Sequence, residues 1–241
     1  MLVSRRYFFF GSLALPALAA KKTPEALRPG ILLLLADQLP AFMLGASGNK
    51  QIYTPNLDRL AQTGIRFFNH FSCAPAPAPG RATLLTGRTP MQLGPSGAIS
   101  ANDIPLDKLL SSNGYTCQEA TGAEALASLD RQSAAKPFFL QVNFRGVRPP
   151  YDAAKKYFDR YAAEPFDGYA PEHPAPDAAL GKEYLSSILP NVRKAAAAVS
   201  AMDDEIGAIL AKLRDRQLLG NTLIVFTAAC GALLEIGRAH V

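Results

Sequence analysis

Three short apolar segments constrain the fold of this chain more than any other feature. The first, residues 31–36, is a continuous apolar run that ends at Asp37. The other two lie at residues 136–144 and 222–227. Runs of this length are typical of strands buried on both faces of a parallel sheet, which helices cover. The pattern predicts an α/β fold with a largely parallel central sheet. Because ligands collect at the carboxyl ends of such strands, Asp37 and Gln38 lie where a site is expected.

Composition narrows the class of protein. The chain has 241 residues, of which 49% are hydrophobic and 19% are charged, as in a globular protein of one large domain or two small ones. Its net charge of +5 is dispersed, and no basic stripe with interleaved aromatic residues indicates a nucleic-acid partner. The three cysteines, Cys73, Cys117 and Cys230, show no metal-binding or redox spacing. They allow at most one intramolecular disulfide, whose pairing the sequence leaves open.

The N-terminal segment has the layout of a twin-arginine signal peptide. Paired arginines, Arg5 and Arg6, precede an apolar stretch and the small-residue site 17–19. We expect residues 1–20 to direct export to the periplasm or the medium of a bacterium. The apolar stretch is short for a bilayer helix, so no stable membrane span is expected after cleavage. The alternative is an uncleaved N-terminal anchor.

The C-terminal residues 235–241 form a second segment that we set apart from the fold. Their reverse translation contains a common short-read sequencing adapter. We interpret them as an artefact at the end of a truncated reading frame, with a genuine tail as the alternative. The folded domain is then predicted to span residues 21–234.

Three blocks of sequence carry a family resemblance. They are residues 54–61 (TPNLDRLA), 64–67 (GIRF) and 80–88 (GRATLLTGR). In this order and spacing they resemble the N-terminal domain of type I sulfatases, within the alkaline phosphatase superfamily. Residues 145–161 are further similar to iduronate-2-sulfatase-like members. The resemblance implies an alkaline phosphatase-like α/β fold with helices on both faces of the sheet, and a sulfated small molecule or glycan as the partner.

The family signature runs Cys or Ser, any residue, Pro, Ser, Arg. The resemblance places Pro77 at the position of its nucleophile, Pro79 at its Pro and Gly80 at its Ser. In sulfatases the nucleophile is a Cys or Ser that is oxidised to formylglycine. Proline has no oxidisable thiol or hydroxyl, so formylglycine cannot form there. Alignment in a second register starts at Cys73 but then lacks the expected Ser-Arg pair. Cys73 is therefore predicted to be a small buried or inert thiol, with a nucleophilic role as the alternative.

Other family positions are also changed. The resemblance implies that Asp37 and Gln38 supply oxygen ligands to Ca2+, and that Arg81 binds the sulfate and the nucleophile. The second pair of metal ligands is replaced by Ala229 and Cys230, neither of which suits a hard cation. The calcium site is expected to keep at most half of its protein ligands.

Acid–base groups are missing as well. The family's Gly-Lys-x-His block aligns with residues 121–125, which contain neither Lys nor His, and an active-site His aligns with Arg148. An arginine binds anions but does not exchange protons near neutral pH. His70 is predicted to be packed or exposed without a catalytic role, and His173 to be exposed in a surface excursion over residues 164–190.

Two segments have helical patterns, and a third is proline-rich. Residues 55–62 are predicted to form a helix with Thr54 as its N-cap, and residues 75–80 an extended segment before a helix opened by Arg81. A long amphipathic helix should end near Gly220. Its apolar face consists of Val192, Ala196, Val199, Met202, Ile206, Ile209 and Leu213. Asp203 on this helix is predicted to be structural.

These observations predict a sulfatase homologue with little or no hydrolase activity. One alternative is an active sulfate or phosphate ester hydrolase that uses Cys73 or Thr83 as its nucleophile. Another is a non-enzymatic protein that binds sulfated glycans or other anions through Arg81 and Arg148. A third is a decaying reading frame without a selected function.

Overall fold

The computed structural model describes residues 28–94, 97–145, 149–151, 153–162 and 181–231, the first eight of the last range by their backbone alone. The predicted signal peptide, the tail at 235–241, Arg148 and His173 lie outside these residues. In the described part, four strands form one sheet in the order β2-β3-β1-β4. They are β1 Gly30–Gln38, β2 Thr116–Thr121, β3 Phe138–Phe144 and β4 Thr222–Cys230.

Every pairing within this sheet is parallel, which confirms the predicted sheet type. Strand β1 lies between β3 and β4, and its residues from Leu32 to Ala36 are nearly inaccessible to solvent. Burial on both faces explains why this strand is a continuous apolar run without alternation. Parallel neighbours place the ends of β1 and β4 side by side, with Gln38 opposite Cys230.

Helices connect these strands. Within the described residues they are α1 Pro55–Thr63, α2 Pro77–Thr86, α3 Pro90–Leu93, α4 Leu106–Ser112, α5 Gly122–Asp130, α6 Lys155–Arg160 and α7 Gly181–Asp215. None of the helices in this part of the chain is long and apolar enough to cross a bilayer.

The helices cover both faces of the sheet, as predicted. On the face that we call the first face, α1, α5, α6 and α7 pack on even-numbered β1 residues such as Leu32 and Leu34. On the opposite, second face, α2 and α4 pack on Leu33, Leu35 and Phe139. The predicted apolar positions of α7 from Val192 to Leu213 are all buried on the first face, which confirms that pattern.

Two helix boundaries differ from the prediction. Helix α2 begins at Pro77, so residues 77–80 are helical and not extended. Prolines are tolerated there because the N–H groups of a first turn have no partner within the helix. Helix α7 begins at Gly181, inside the predicted surface excursion, and ends at Asp215 rather than near Gly220. Pro190 lies inside it and obscured its first turns in the sequence.

A buried carboxylate joins α1 to α7. Asp203 is fully buried and accepts hydrogen bonds from the backbone N–H groups of Asn56, at 3.1 Å, and Leu57, at 2.8 Å. It therefore caps α1 from another helix, which confirms its structural role. The predicted N-cap, Thr54, makes no capping bond and instead donates to Asp58 at 3.0 Å.

Candidate active site

The candidate site lies at the carboxyl edge of the sheet, between the end of β1 and the start of α2. Asp37 is the second-last residue of β1, and its side chain is 15% exposed. Pro77 is the first residue of α2 and follows an extended Ala76. Both line a depression of about 470 Å³. The other lining residues are Ala78, Arg81, Ala82, Ala98 and Ile99.

Arg81 links α2 to the strand. Its guanidinium forms an ion pair with the Asp37 carboxylate, and its side chain is 30% exposed. On its other side, Nη1 lies 3.9 Å from Oε1 of Glu119, near the end of β2. The structure thus brings together the predicted residues Asp37, Arg81 and Pro77. Gln38 is not among the residues that line the depression.

The first turn of α2 offers few hydrogen-bond donors. Helix N-termini bind anions through free backbone N–H groups, and prolines have none. Pro77 and Pro79 therefore contribute no donor, and the N–H of Gly80 already donates to Ala76 at 3.1 Å. Only Ala78 keeps an N–H group in the first three helical positions. The sequence therefore weakens the feature of this helix that would hold a sulfate.

One wall of the depression is fixed by a charged network. Ala98 and Ile99 lie in the loop before Asp103, whose side chain accepts from the backbone N–H of Ser100 at 2.7 Å and pairs with Arg88. These hydrogen bonds, that of the Ser100 backbone first, hold the pKa of Asp103 below its usual range. The Asp103 carboxylate is therefore charged near neutral pH and anchors the backbone that follows Ile99.

The end of β4 packs directly against α2. A Cβ atom at Gly80 would collide with the carbonyl oxygen of Ala229. Ser72 Oγ donates to that same oxygen at 2.6 Å. Gly80 stands where the family signature has Ser, and the close approach to Ala229 explains why a glycine fits there.

Cys230 is buried beside the site. Its Sγ donates to the backbone oxygen of Asp37 at 3.4 Å. Burial, followed by the nearby Asp37 charge, raises the pKa of the Cys230 thiol. The group is therefore a neutral thiol near neutral pH, which is a poor ligand for calcium.

These donors do not fit a calcium site. Calcium takes six to eight oxygen ligands, commonly from several carboxylates. Among the described residues, no group of three or more His, Cys, Asp or Glu side chains could hold a metal ion. Asp37 is paired with Arg81, and the end of β4 presents a methyl group at Ala229 and a thiol at Cys230. Metal ligation by Asp37 and Gln38 stays a prediction that the surrounding donor set argues against.

The alternative nucleophiles are poorly placed. Cys73 is an exposed free thiol and does not line the depression. Thr83 Oγ1 is buried and has no hydrogen-bond partner in the described structure, so no base lies beside it. His70 is exposed, as predicted, and its Nε2 lies 3.4 Å from Thr227 Oγ1.

Residues 121–125 have a structural role that sequence comparison alone did not show. Thr121 is the N-cap of α5, and Glu124 accepts from both its N–H and its hydroxyl at 2.9 Å. This capping box follows the Thr-x-x-Glu spacing and could have been found from the sequence. The contact of Glu119 with Arg81 had no comparable signal, because it joins residues 38 positions apart.

Comparisons with known proteins agree on one family. The family model described as Sulfatase matches residues 29–117 and 101–235. Human arylsulfatase D is 36% identical over 108 residues, covering 39% of this chain and 18% of that protein. Human N-acetylgalactosamine-6-sulfatase is 27% identical over 272 residues, covering 86% of this chain and 50% of that protein. The chain therefore spans about half the length of N-acetylgalactosamine-6-sulfatase and 18% of the length of arylsulfatase D.

A solved structure supports the same fold. It comes from a study of glycosaminoglycan metabolism by Bacteroides thetaiotaomicron and superposes with a TM-score of 0.76 at 18% identity. The superposition covers 89% of this chain and 63% of that one. The architecture is thus of the alkaline phosphatase-like type. Since the family model spans most of the chain, the chain belongs to the sulfatase family.

Proposed function

We propose that this chain is a member of the sulfatase family that hydrolyses sulfate esters little or not at all. Members of the family are sulfuric ester hydrolases that normally use Ca2+ and formylglycine. One observation carries the proposal: Pro77, at the family's nucleophile position, lines the depression beside Asp37 and Arg81. A proline there has no group that could attack sulfur.

Further replacements support this proposal. The end of β4 provides Ala229 and Cys230 in place of hard-cation ligands, and residues 121–125 cap a helix in place of a Lys and a His. Groups that act together in catalysis are not independent, so the loss of several leaves little beyond binding. Arg148, at the position of an active-site His, adds a replacement that lies outside the described residues.

Turnover of a chromogenic aryl sulfate and an aryl phosphate by the full chain tests the proposal. Each substrate is measured with calcium and with a chelator, beside an active family member. The expected result is no turnover from soluble, folded protein. Metal-dependent turnover that disappears in Cys73→Ala or in Thr83→Val would establish the alternative hydrolase and overturn the proposal.

A sulfated small molecule or glycan is the partner class that we propose for the chain. The class is supported by the relative named N-acetylgalactosamine-6-sulfatase, which aligns with most of this chain. Titration of the full chain with a sulfated glycosaminoglycan tests this, with its desulfated form as the control. Equal binding of both forms, or of neither, would remove the sulfated ligand from the proposal. The finer likeness to iduronate-2-sulfatases stays a prediction.

Export through the twin-arginine route is part of the same proposal. It is supported by the Arg5-Arg6 pair and the apolar stretch that follows it. In a bacterial host we expect the protein in the periplasmic fraction, and retention in the cytoplasm when both arginines are changed to lysine. Periplasmic recovery of that variant would show that the pair is not the export signal.

Resequencing the locus tests the adapter interpretation of residues 235–241.

A further inference from the structure

The cation that balances Asp37 is a residue of the chain itself. Arg81 comes from the second turn of α2 and forms its ion pair with Asp37 at the end of β1. Both side chains are more than two-thirds buried, at 30% and 15% exposure. A pair with this burial is screened by salt less than a surface pair is. The guanidinium therefore neutralises the carboxylate to which a metal ion would otherwise bind.

The positive charge of Arg81 is also shared with a second carboxylate. Nη1 lies 3.9 Å from Oε1 of Glu119. Glu119 in turn accepts a hydrogen bond from Asn143 Nδ2, and Asn143 Oδ1 accepts from Gln141 at 2.9 Å. This row of polar groups on the second face holds Glu119 near the guanidinium. An incoming anion would therefore meet two carboxylates beside this guanidinium.

The groups around the ion pair supply few further ligands for an anion or for a cation. For an anion, Pro77 and Pro79 remove two of the first-turn N–H donors of α2. For a cation, the Ala229 carbonyl oxygen already accepts from Ser72 Oγ, and Cys230 offers a sulfur atom, which is a poor ligand for a hard cation. The centre thus lacks additional ligands of either charge among these groups.

We propose that the Asp37–Arg81 ion pair closes this centre to ions, so that it binds neither a divalent cation nor inorganic sulfate, and the sulfated partner proposed above would bind at another surface of the chain. Arg81 acts as a built-in cation for Asp37, and Asp37 occupies the guanidinium that would otherwise attract sulfate. This inference goes beyond the proposed loss of hydrolysis because it concerns ion binding. Aryl sulfate turnover would contradict the proposed function, and calcium binding through Asp37 would contradict this inference, so the two failures are distinguishable.

Three variants of the full chain separate the two halves of the pair. Asp37→Asn leaves the guanidinium unbalanced and should create binding of inorganic sulfate. Arg81→Gln removes the guanidinium from between Asp37 and Glu119 and should create weak binding of calcium to these carboxylates, because the end of β4 still supplies no further ligand. The double variant Asp37→Asn/Arg81→Gln lacks both charges and should bind neither ion. Each is compared with the wild type by isothermal titration calorimetry and by thermal unfolding.

Each single variant should bind a different ion. Sulfate should raise the unfolding temperature of Asp37→Asn above that in sodium chloride of equal ionic strength, and calcium should raise that of Arg81→Gln above that in chelator. The wild type should respond to neither ion, and single variants that fold but respond to neither ion would overturn the proposal, because the missing ligands and not the pair would then explain the silent wild type. Wild-type binding of calcium or sulfate that is lost in the double variant would overturn the proposal. Binding that persists in the double variant lies elsewhere and supports it.

Discussion

The two faces of the sheet are built differently. On the first face, α7 buries a continuous row of apolar side chains against β1 and β3, and Asp203 fixes α1 to the same helix. On the second face, α2 and α4 bury few sheet residues, and the strands carry Asp37, Glu119 and Asn143 there. The candidate site belongs to this second, more polar face. The comparison teaches that stability and catalytic chemistry are largely separated in this fold.

This separation would let the fold persist with the altered site that we propose. Two residues, Pro77 and Ala229, differ from those that the resemblance expects at their positions, and Arg81 lies beside Pro77. All three lie on the second face of the sheet or at its edge. Because the large core is on the other face, changes here remove little buried apolar area. The four predictions that follow test this contrast, beginning with the largest expected effect.

Truncation of the first-face core should be most damaging. Ile206 of α7 is fully buried, so Ile206→Ala should lower the free energy of unfolding by about 4 kcal/mol through lost transfer energy and a cavity. Urea unfolding followed by circular dichroism measures this. A loss no larger than that of a surface substitution would mean that the first face does not dominate stability.

Asp203→Asn should lower the free energy of unfolding by about 3 kcal/mol, because it replaces the buried carboxylate that accepts hydrogen bonds from the N-terminus of α1. Burial raises the pKa of Asp203, more than its hydrogen bonds from Leu57 and Asn56 lower it. Because the pKa of Asp203 is raised in the folded state, its contribution to the free energy of unfolding is fully present below the unfolded-state pKa. This contribution is lost as the pH rises through the folded-state pKa. The advantage of wild type over the variant should therefore shrink from acid towards neutral pH.

Urea unfolding of both proteins at a series of pH values measures this difference. Asp215→Asn is the matched control, because Asp215 is an exposed carboxylate at the end of the same helix. An advantage of wild type that grew with pH would show that the hydrogen bonds to Asp203 outweigh its desolvation.

On the second face, Gly80→Ser restores a residue of the family signature but should destabilise the chain by about 2 kcal/mol through overpacking. The added Cβ would collide with the Ala229 carbonyl oxygen, which belongs to the backbone of β4 and cannot rotate away. Gly220→Ser is the control, because nothing lies within 4 Å of a Cβ at that position. Equal unfolding temperatures for both variants would show that β4 and α2 can move apart.

Much of this architecture could be predicted from the sequence, and the reasons are local. Continuous apolar runs predicted β1, β3 and β4, and helical spacing predicted the buried face of α7. The start of α2 at Pro77 was missed, because proline-rich segments also favour extended structure. The first turns of α7 were missed because Pro190 normally breaks helices.

The site was less predictable because its contacts are distant in sequence. The resemblance pointed to Asp37 and Arg81 as separate ligands, one for a metal and one for sulfate. Their direct ion pair joins residues 44 positions apart, and no local pattern encodes it. Tertiary contacts thus pair two residues that the resemblance had assigned to different ligands.

The smallest expected effect concerns two neighbours on β4. Leu223 is 55% exposed on the second face, whereas Ile224 packs against the first-face core. Leu223→Thr should change the free energy of unfolding by less than about 0.5 kcal/mol, and Ile224→Thr should lower it by about 1–2 kcal/mol. Both substitutions introduce the same β-branched residue into the same strand, and only Leu223→Thr gains strand propensity by it, because Ile224 is already β-branched. If Leu223→Thr were the more damaging of the two in urea unfolding, side chains of β4 would be stabilised on the second face, and the contrast between the faces would fail at this strand.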